Sequence, residues 1–194
     1  SNVMKKTKFA IGCIIQWYEV EIYETYIQSV INAIEYSNGR ENVVVDICFY
    51  LGQNFEQIDE NQMPWEKVVQ RFEDTEKLLT SKGIKHNIVY YDKEHKIKPG
   101  ESNPNVIHTI SSYRRQFNEK YCMEADVLMW GESDSLIPKQ TFEVLDLLQT
   151  NNVSQGIHKW IAFFGTCKMW DDSWTSIEHV DFTDKPFIEG DHDN

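Results

Sequence analysis

The chain has 194 residues, 41% of them hydrophobic and 13% aromatic, and its 31 acidic and 19 basic side chains leave a formal net charge of -12. That length suits one domain, or one domain with an appendage, and supplies a real apolar core. The surplus of acid argues against general binding to a nucleic-acid backbone, and no apolar run reaches the roughly 20 residues needed to span a bilayer.

Ser1-Asn2-Val3 reads as an expression remnant ahead of Met4, which leaves 4–194 as the domain. Lys8 to Ile15 is a short apolar run that reads as a buried strand. A helix follows with Tyr23, Ile27, Val30 and Ile34 on its apolar face, and Asn38-Gly39 ends it. Val43 to Leu51, rich in β-branched and aromatic side chains, predicts a second strand. Gln53 to Met63 is polar and reads as loop. Trp65, Val68, Val69, Phe72, Glu76 and Leu79 then lie on adjoining helical stripes, stopped by Gly83. Ile84 to Tyr91 predicts a third strand, and Asp92 to Gly100 is charged and irregular. Asn103-Pro104 suits the cap and first position of a third helix, which buries Val106, Ile110, Tyr113, Phe117 and Tyr121. Ala125 to Trp130 is a fourth strand, Pro138 opens a helix through Phe142, Leu145 and Leu148, and Ile157 to Phe164 predicts a fifth strand.

Strands alternating with helices predict an α/β domain with a mainly parallel sheet covered on both faces. The four cysteines, Cys13, Cys48, Cys122 and Cys167, are far apart and mostly in apolar runs, so they read as buried free thiols rather than zinc ligands or a disulfide framework. With no signal-peptide pattern, the expected compartment is the cytoplasm. The acidic ending Glu189-Gly190-Asp191-His192-Asp193-Asn194 suggests that the natural protein continues, and regions beyond this chain could bring it to a membrane surface.

The sharpest chemical signal is Trp130-Gly131-Glu132-Ser133-Asp134, where an apolar run delivers two carboxylates one residue apart. Ligands of open α/β sheets bind just past the carboxyl ends of the strands. In an extended segment, positions i and i+2 point the same way. Two carboxylates on one side suit a hard divalent cation that bridges phosphate oxygens. The plainer reading is a pair of solvated loop acids near a helix start.

Three segments together resemble the nucleotide-sugar-binding half of a GT-A glycosyltransferase of the family-2-like kind. They are Phe9 to Tyr18, the helix segment Ser112-Tyr113-Arg114-Arg115-Gln116-Phe117-Asn118, and Val127 to Pro138, where Glu132-Ser133-Asp134 is similar to the family's D-x-D strand end. The resemblance covers roughly the first three-quarters of the chain and implies a single GT-A-like, Rossmann-like fold. It implies a metal-dependent hexosyltransferase that takes a nucleotide-diphosphate sugar as donor and a glycan, lipid or protein as acceptor. Asp134, with Glu132, would bind Mn2+ or Mg2+, and Glu132 would rather face the ribose or a metal-bound water as part of the nucleotide-sugar pocket. Arg114 or Arg115 would meet the diphosphate, Arg115 being the better match to the family pattern. Gln16, Trp17, Tyr18, Gln53, Asn54 and Ser133 would line the nucleotide-sugar pocket, with Trp17 or Tyr18 either stacking on a base or serving the core or a lid. Asp171 and Asp172 are the available candidates for a catalytic base.

The chain departs from the family in two places. Phe49-Tyr50-Leu51-Gly52-Gln53-Asn54 stands where an acidic pair commonly follows the second strand, and Trp17-Tyr18-Glu19 replaces the usual asparagine after the first. The missing acidic pair after the second strand and the absence of a certain catalytic base favour the alternative of a non-catalytic nucleotide- or sugar-binding domain of the same fold. A sugar nucleotidyltransferase is a third reading, but it needs a Gly-rich basic loop where Gln16-Trp17-Tyr18-Glu19 stands. His158, His179 and His192 show no helical zinc spacing, though one of them could complete a metal site. Trp160, Trp170 and Trp174 are candidates for an acceptor-sugar platform, against ordinary core packing.

Overall fold

The computed structural model describes residues 7–51, 63–91, 104–163 and 167–168, with backbone alone for Tyr18, 104–108 and 167–168. Four strands, β1 (Phe9–Gln16), β2 (Val43–Tyr50), β3 (Lys85–Tyr91) and β4 (Val127–Trp130), form one parallel sheet in the order β3-β2-β1-β4. The register sets Gly12 beside Asp46 on one neighbour and Trp130 on the other. β1 lies in the middle and is buried along nearly its whole length, as the near-continuous apolar composition of a two-sided parallel strand requires. The α/β class and parallel sheet expected from the alternation are present.

The helices are α1 (Tyr23–Tyr36), α2 (Trp65–Ser81), α3 (Pro104–Tyr121) and α4 (Thr141–Ser154). The chain steps outward from β1 through β2 to β3, then returns to the other side of β1 for β4. Right-handed crossovers put the helices of opposite steps on opposite faces. Accordingly α1, α2 and α4 bury Tyr23, Ile27, Ile34, Phe72, Leu79, Phe142 and Leu145 against Phe9, Ile11, Ile15, Val45 and Phe49 on one face. On the other face, among the described residues, α3 packs Phe117 and Tyr121 against Ala10, with Tyr113 and Leu128 at the margin. Gly12 permits that close approach, because a Cβ there would lie 2.6 Å from the Phe117 ring. Ile110 and Tyr113 are half-buried, and the Val106 side chain lies outside the described residues.

Two helix ends follow the expected punctuation, at Asn38 and Gly83, and Gly156 adds a third. Asn38, Gly83 and Gly156 take positive φ after α1, α2 and α4. The amide of the residue after each of them reaches back to Ile34, Leu79 and Asn152, which satisfies carbonyls that the helix leaves open.

Three expectations are corrected. Pro138 does not start α4. Its carbonyl accepts from the Thr141 N–H and hydroxyl, and the helix begins at Thr141. No strand forms over 157–163. The Trp160 indole N–H donates to Gln149 Oε1 at 2.7 Å, so this stretch is tied back to α4 rather than to a sheet edge. A short antiparallel pair instead joins β5 (Ser135–Leu136) to β6 (Cys167–Lys168). Cys13 and Cys48 are buried free thiols, but Cys122 is exposed, in the turn that follows the last residue of α3. The Cys167 side chain lies outside the described residues. Among the described residues no helix is long and apolar enough to cross a membrane.

One buried carboxylate belongs to the fold itself. Asp46 on β2 is 3% exposed. It accepts hydrogen bonds from the Tyr113 hydroxyl at 2.7 Å, the Tyr121 hydroxyl at 2.7 Å and the Asn87 amide at 2.9 Å. A buried charge is tolerable when donors converge on it in this way. Burial and the neighbouring Asp46 hold both phenols well above the usual tyrosine range. Asp46 thus anchors α3 to the sheet.

Candidate functional site

The strand order reverses between β1 and β4, and their carboxyl ends open a crevice there. In open α/β sheets this is where ligands bind. The crevice is a cleft of about 420 Å³ with apolar walls from Ile14, Ile22 and Ile110, and a polar floor from Gln16, Glu19, Arg114 and the Gly131–Asp134 segment.

Glu132 and Asp134 reach the cleft by a different local geometry from the one expected. The segment is not extended. Residues 133 and 134 form a turn in which the Ser135 N–H meets the Glu132 carbonyl at 3.0 Å. The two carboxylates share a cleft because the Ser135 hydroxyl lies between them, 3.2 Å from Glu132 Oε2 and 3.4 Å from Asp134 Oδ1. Gly131, at the mouth of this turn, packs directly on Tyr26, since a Cβ there would lie 1.9 Å from the tyrosine oxygen.

The third acid, Glu19, has no place among the expected site residues. It follows β1 in a 3₁₀ turn (Trp17–Glu19) and folds back so that Oε1 accepts the Gln16 N–H at 2.9 Å. Ser133, itself 4% exposed, donates its hydroxyl to Glu19 Oε2, so Ser133 braces one acid between two others. Burial pushes the Glu19 carboxyl up to about 7; the Gln16 N–H opposes that rise, and the charges of Asp134 and Glu132 add to it. Beneath the cleft, burial and then the Glu19 charge push the Cys13 thiol well up, and the Tyr26 hydroxyl is its hydrogen-bond neighbour.

Arg114 is the cation of this cleft. It lies half-buried on α3, one turn after Ile110, and among the described residues no carboxylate pairs with it. Its guanidinium carbon sits 5.1 Å from the centre of the Trp130 ring. Arg115 is exposed and does not line the cleft. One residue is 100° of helix, and that rotation separates the two.

The other expected site residues divide three ways. Gln16 lines the cleft. Trp17 is 6% exposed and packs edge-on against Trp65 at 6.5 Å, a core position rather than a stacking platform. Gln53, Asn54, Asp171, Asp172, His179, His192, Trp170 and Trp174 lie outside the described residues, as does the Tyr18 side chain. His158 is exposed, and Trp160 is held against α4.

Glu132 and Asp134 offer the hard oxygen donors that Mg2+ or Mn2+ prefers. Among the described residues no three His, Cys, Asp or Glu side chains converge as a ready-made metal cage. The donor set fits an ion held by one or two carboxylates and completed by water and a phosphate, the usual habit of Mg2+. No family model, no curated protein and no solved structure matches this chain.

Proposed function

We propose that the cleft between β1 and β4 binds a nucleotide-diphosphate sugar with a divalent cation, and that the chain is a metal-dependent glycosyltransferase. The observation that carries this reading is the joint placement of Glu132, Asp134 and Arg114 around one cleft at the sheet's switch point. An all-acidic cleft would repel a diphosphate, and an all-basic one would need no metal. Two carboxylates for a cation and one arginine for an anion suit a ligand that arrives as a metal–diphosphate.

Asp134 and Glu132 would hold the Mg2+ or Mn2+ ion. Such an ion, when bound, neutralises the diphosphate oxygens as a Lewis acid. Arg114 presents its planar fork to one phosphate. The Ser135 hydroxyl lies between the two carboxylates, and the Ser133 hydroxyl donates to Glu19. Ile14, Ile22 and Ile110 exclude water from the wall. In the transfer itself, the bond from the anomeric carbon to the diphosphate oxygen breaks and its electron pair leaves with the diphosphate. The acceptor oxygen bonds to that carbon and loses its proton to a base, for which Asp171 and Asp172 are the candidates.

Calorimetric titration with Mn2+ and a panel of nucleotide sugars tests the reading, with wild type beside Asp134→Asn. Wild type should bind a donor only in the presence of metal, and Asp134→Asn should lose that binding. Equal affinity in the two proteins overturns it. Metal-dependent binding without hydrolysis or transfer of the sugar leaves a non-catalytic binding domain of the same fold.

A further inference from the structure

We infer that Trp130 is a positioning residue that holds Arg114 aimed into the cleft. The inference rests on the reading of that cleft as a diphosphate site, and it adds the device that keeps the arginine ready. Trp130 is the last residue of β4, and its side chain is 51% exposed, an open place for so large an apolar ring at the end of a core strand. The ring is fixed from two sides by one turn of α3. The indole N–H donates to Asn118 Oδ1 at 3.1 Å, and the Arg114 guanidinium lies over the ring face at 5.1 Å from its centre. Arg114 and Asn118 are four residues apart and so lie on the same helix stripe.

The charge balance makes this arrangement informative. In a chain with 31 acidic side chains, an arginine readily finds a carboxylate. Among the described residues Arg114 meets no carboxylate and instead rests on a π-face, which attracts the cation without consuming the N–H donors at its edge. A carboxylate partner would occupy the same fork that a phosphate needs. The aromatic face leaves the fork open and lowers the entropy lost when the anion binds. Backbone pairing of Trp130 with Gly12 fixes the arginine's rest on the sheet, two residues ahead of Glu132 in the turn that follows β4. Cation and acids keep a set distance.

Side-chain NMR of the intact chain tests this without any ligand. The Arg114 Nε–H signal, identified by its loss in Arg114→Lys, should be shifted by the indole ring current. The shift should persist in reduced form in Trp130→Phe and vanish in Trp130→Leu. Magnesium pyrophosphate then serves as the probe of binding. Its affinity should fall about three- to tenfold in Trp130→Leu, the range a partly exposed cation–π contact can supply, and be largely retained in Trp130→Phe. Backbone amide spectra check that each variant is folded. If Trp130→Leu fails to fold, Asn118→Ala carries the same test by releasing the indole N–H. An Arg114 signal that ignores loss of the ring overturns the inference, as does unchanged pyrophosphate affinity in Trp130→Leu. If the ring-current shift behaves as expected but wild type takes up no magnesium pyrophosphate, Trp130 still positions Arg114, and the diphosphate reading of the cleft falls.

Discussion

Two groups of carboxylates in this molecule meet opposite fates. Asp46 sits within β2 under α3, is 3% exposed, and takes three hydrogen bonds from the neutral donors Tyr113, Tyr121 and Asn87. Glu19, Glu132 and Asp134 gather at the open end of β1 and β4, braced by serine hydroxyls and one backbone N–H, and there burial first, with the charges of Asp134 and Glu132 added, pushes Glu19 up to about 7. The first arrangement resolves a buried charge by surrounding it with donors. The second holds like charges together at a cost to the folded state. A fold keeps such a cost where something else is gained, and under the proposed function the gain would be a place for a cation beside Arg114.

The comparison breaks first at Asp46. Asp46→Ala leaves two phenols and an amide facing the space where an acceptor stood, and unsatisfied buried donors are expensive. We expect a loss of stability on the order of 3 kcal/mol by urea denaturation, with Asp46→Asn milder because it keeps one acceptor oxygen. A loss within about 0.5 kcal/mol, the range typical of ordinary surface positions, would make Asp46 no anchor at all.

Glu19 should respond in the opposite direction, and with pH. Its folded-state pKa is raised from 4.5 to about 7. The contribution of the protonated form is therefore complete below about pH 4.5, declines as pH rises, and is gone above about 7. Glu19→Gln removes this dependence. The variant should match wild type near pH 4.5 and exceed it at pH 8 by up to roughly 3 kcal/mol, from the energy equivalent of a pKa shift of that size. Equal stability at both pH values would mean that burial and the neighbouring acids do not disfavour the Glu19 charge.

The smallest effect on folding should come from Asp134. Asp134→Asn sits in a turn outside the core, so its unfolding free energy should lie within about 0.5 kcal/mol of wild type while metal-dependent donor binding is lost. A large destabilisation would move Asp134 into the same class as Asp46 and weaken the case for a functional site.

Much of the architecture follows from local pattern. The apolar run over Phe9–Gln16, the 3.6-residue stripes of Tyr23–Ile34 and Val68–Leu79, and the stops at Asn38 and Gly83 depend on near neighbours in sequence, so period and punctuation suffice to find them. The delivery of Glu132 and Asp134 to the end of β4 is legible for the same reason. Local pattern fails at Ile157–Phe163, where an apolar composition suggests a strand. A strand needs a partner edge, and the Trp160–Gln149 bond holds that stretch on α4 instead.

What only the tertiary structure decides is which distant residues meet. The order β3-β2-β1-β4 brings the ends of β1 and β4 together, and so joins Glu19 to Ser133 across 114 positions. No spacing rule reaches that far. A signal for Glu19 exists in the sequence only as its position three residues after Gln16, which lets its side chain close on the Gln16 amide. The choice of Arg114 over Arg115 rests on the rotation of α3 against the sheet, set by Phe117 beneath Gly12 and by Tyr113 and Tyr121 on Asp46. Composition and periodicity determine which segments become strands and helices, because those are short-range energies. The cleft, its third acid and its cation belong to packing, because burial and charge act between groups that only the folded chain brings within reach.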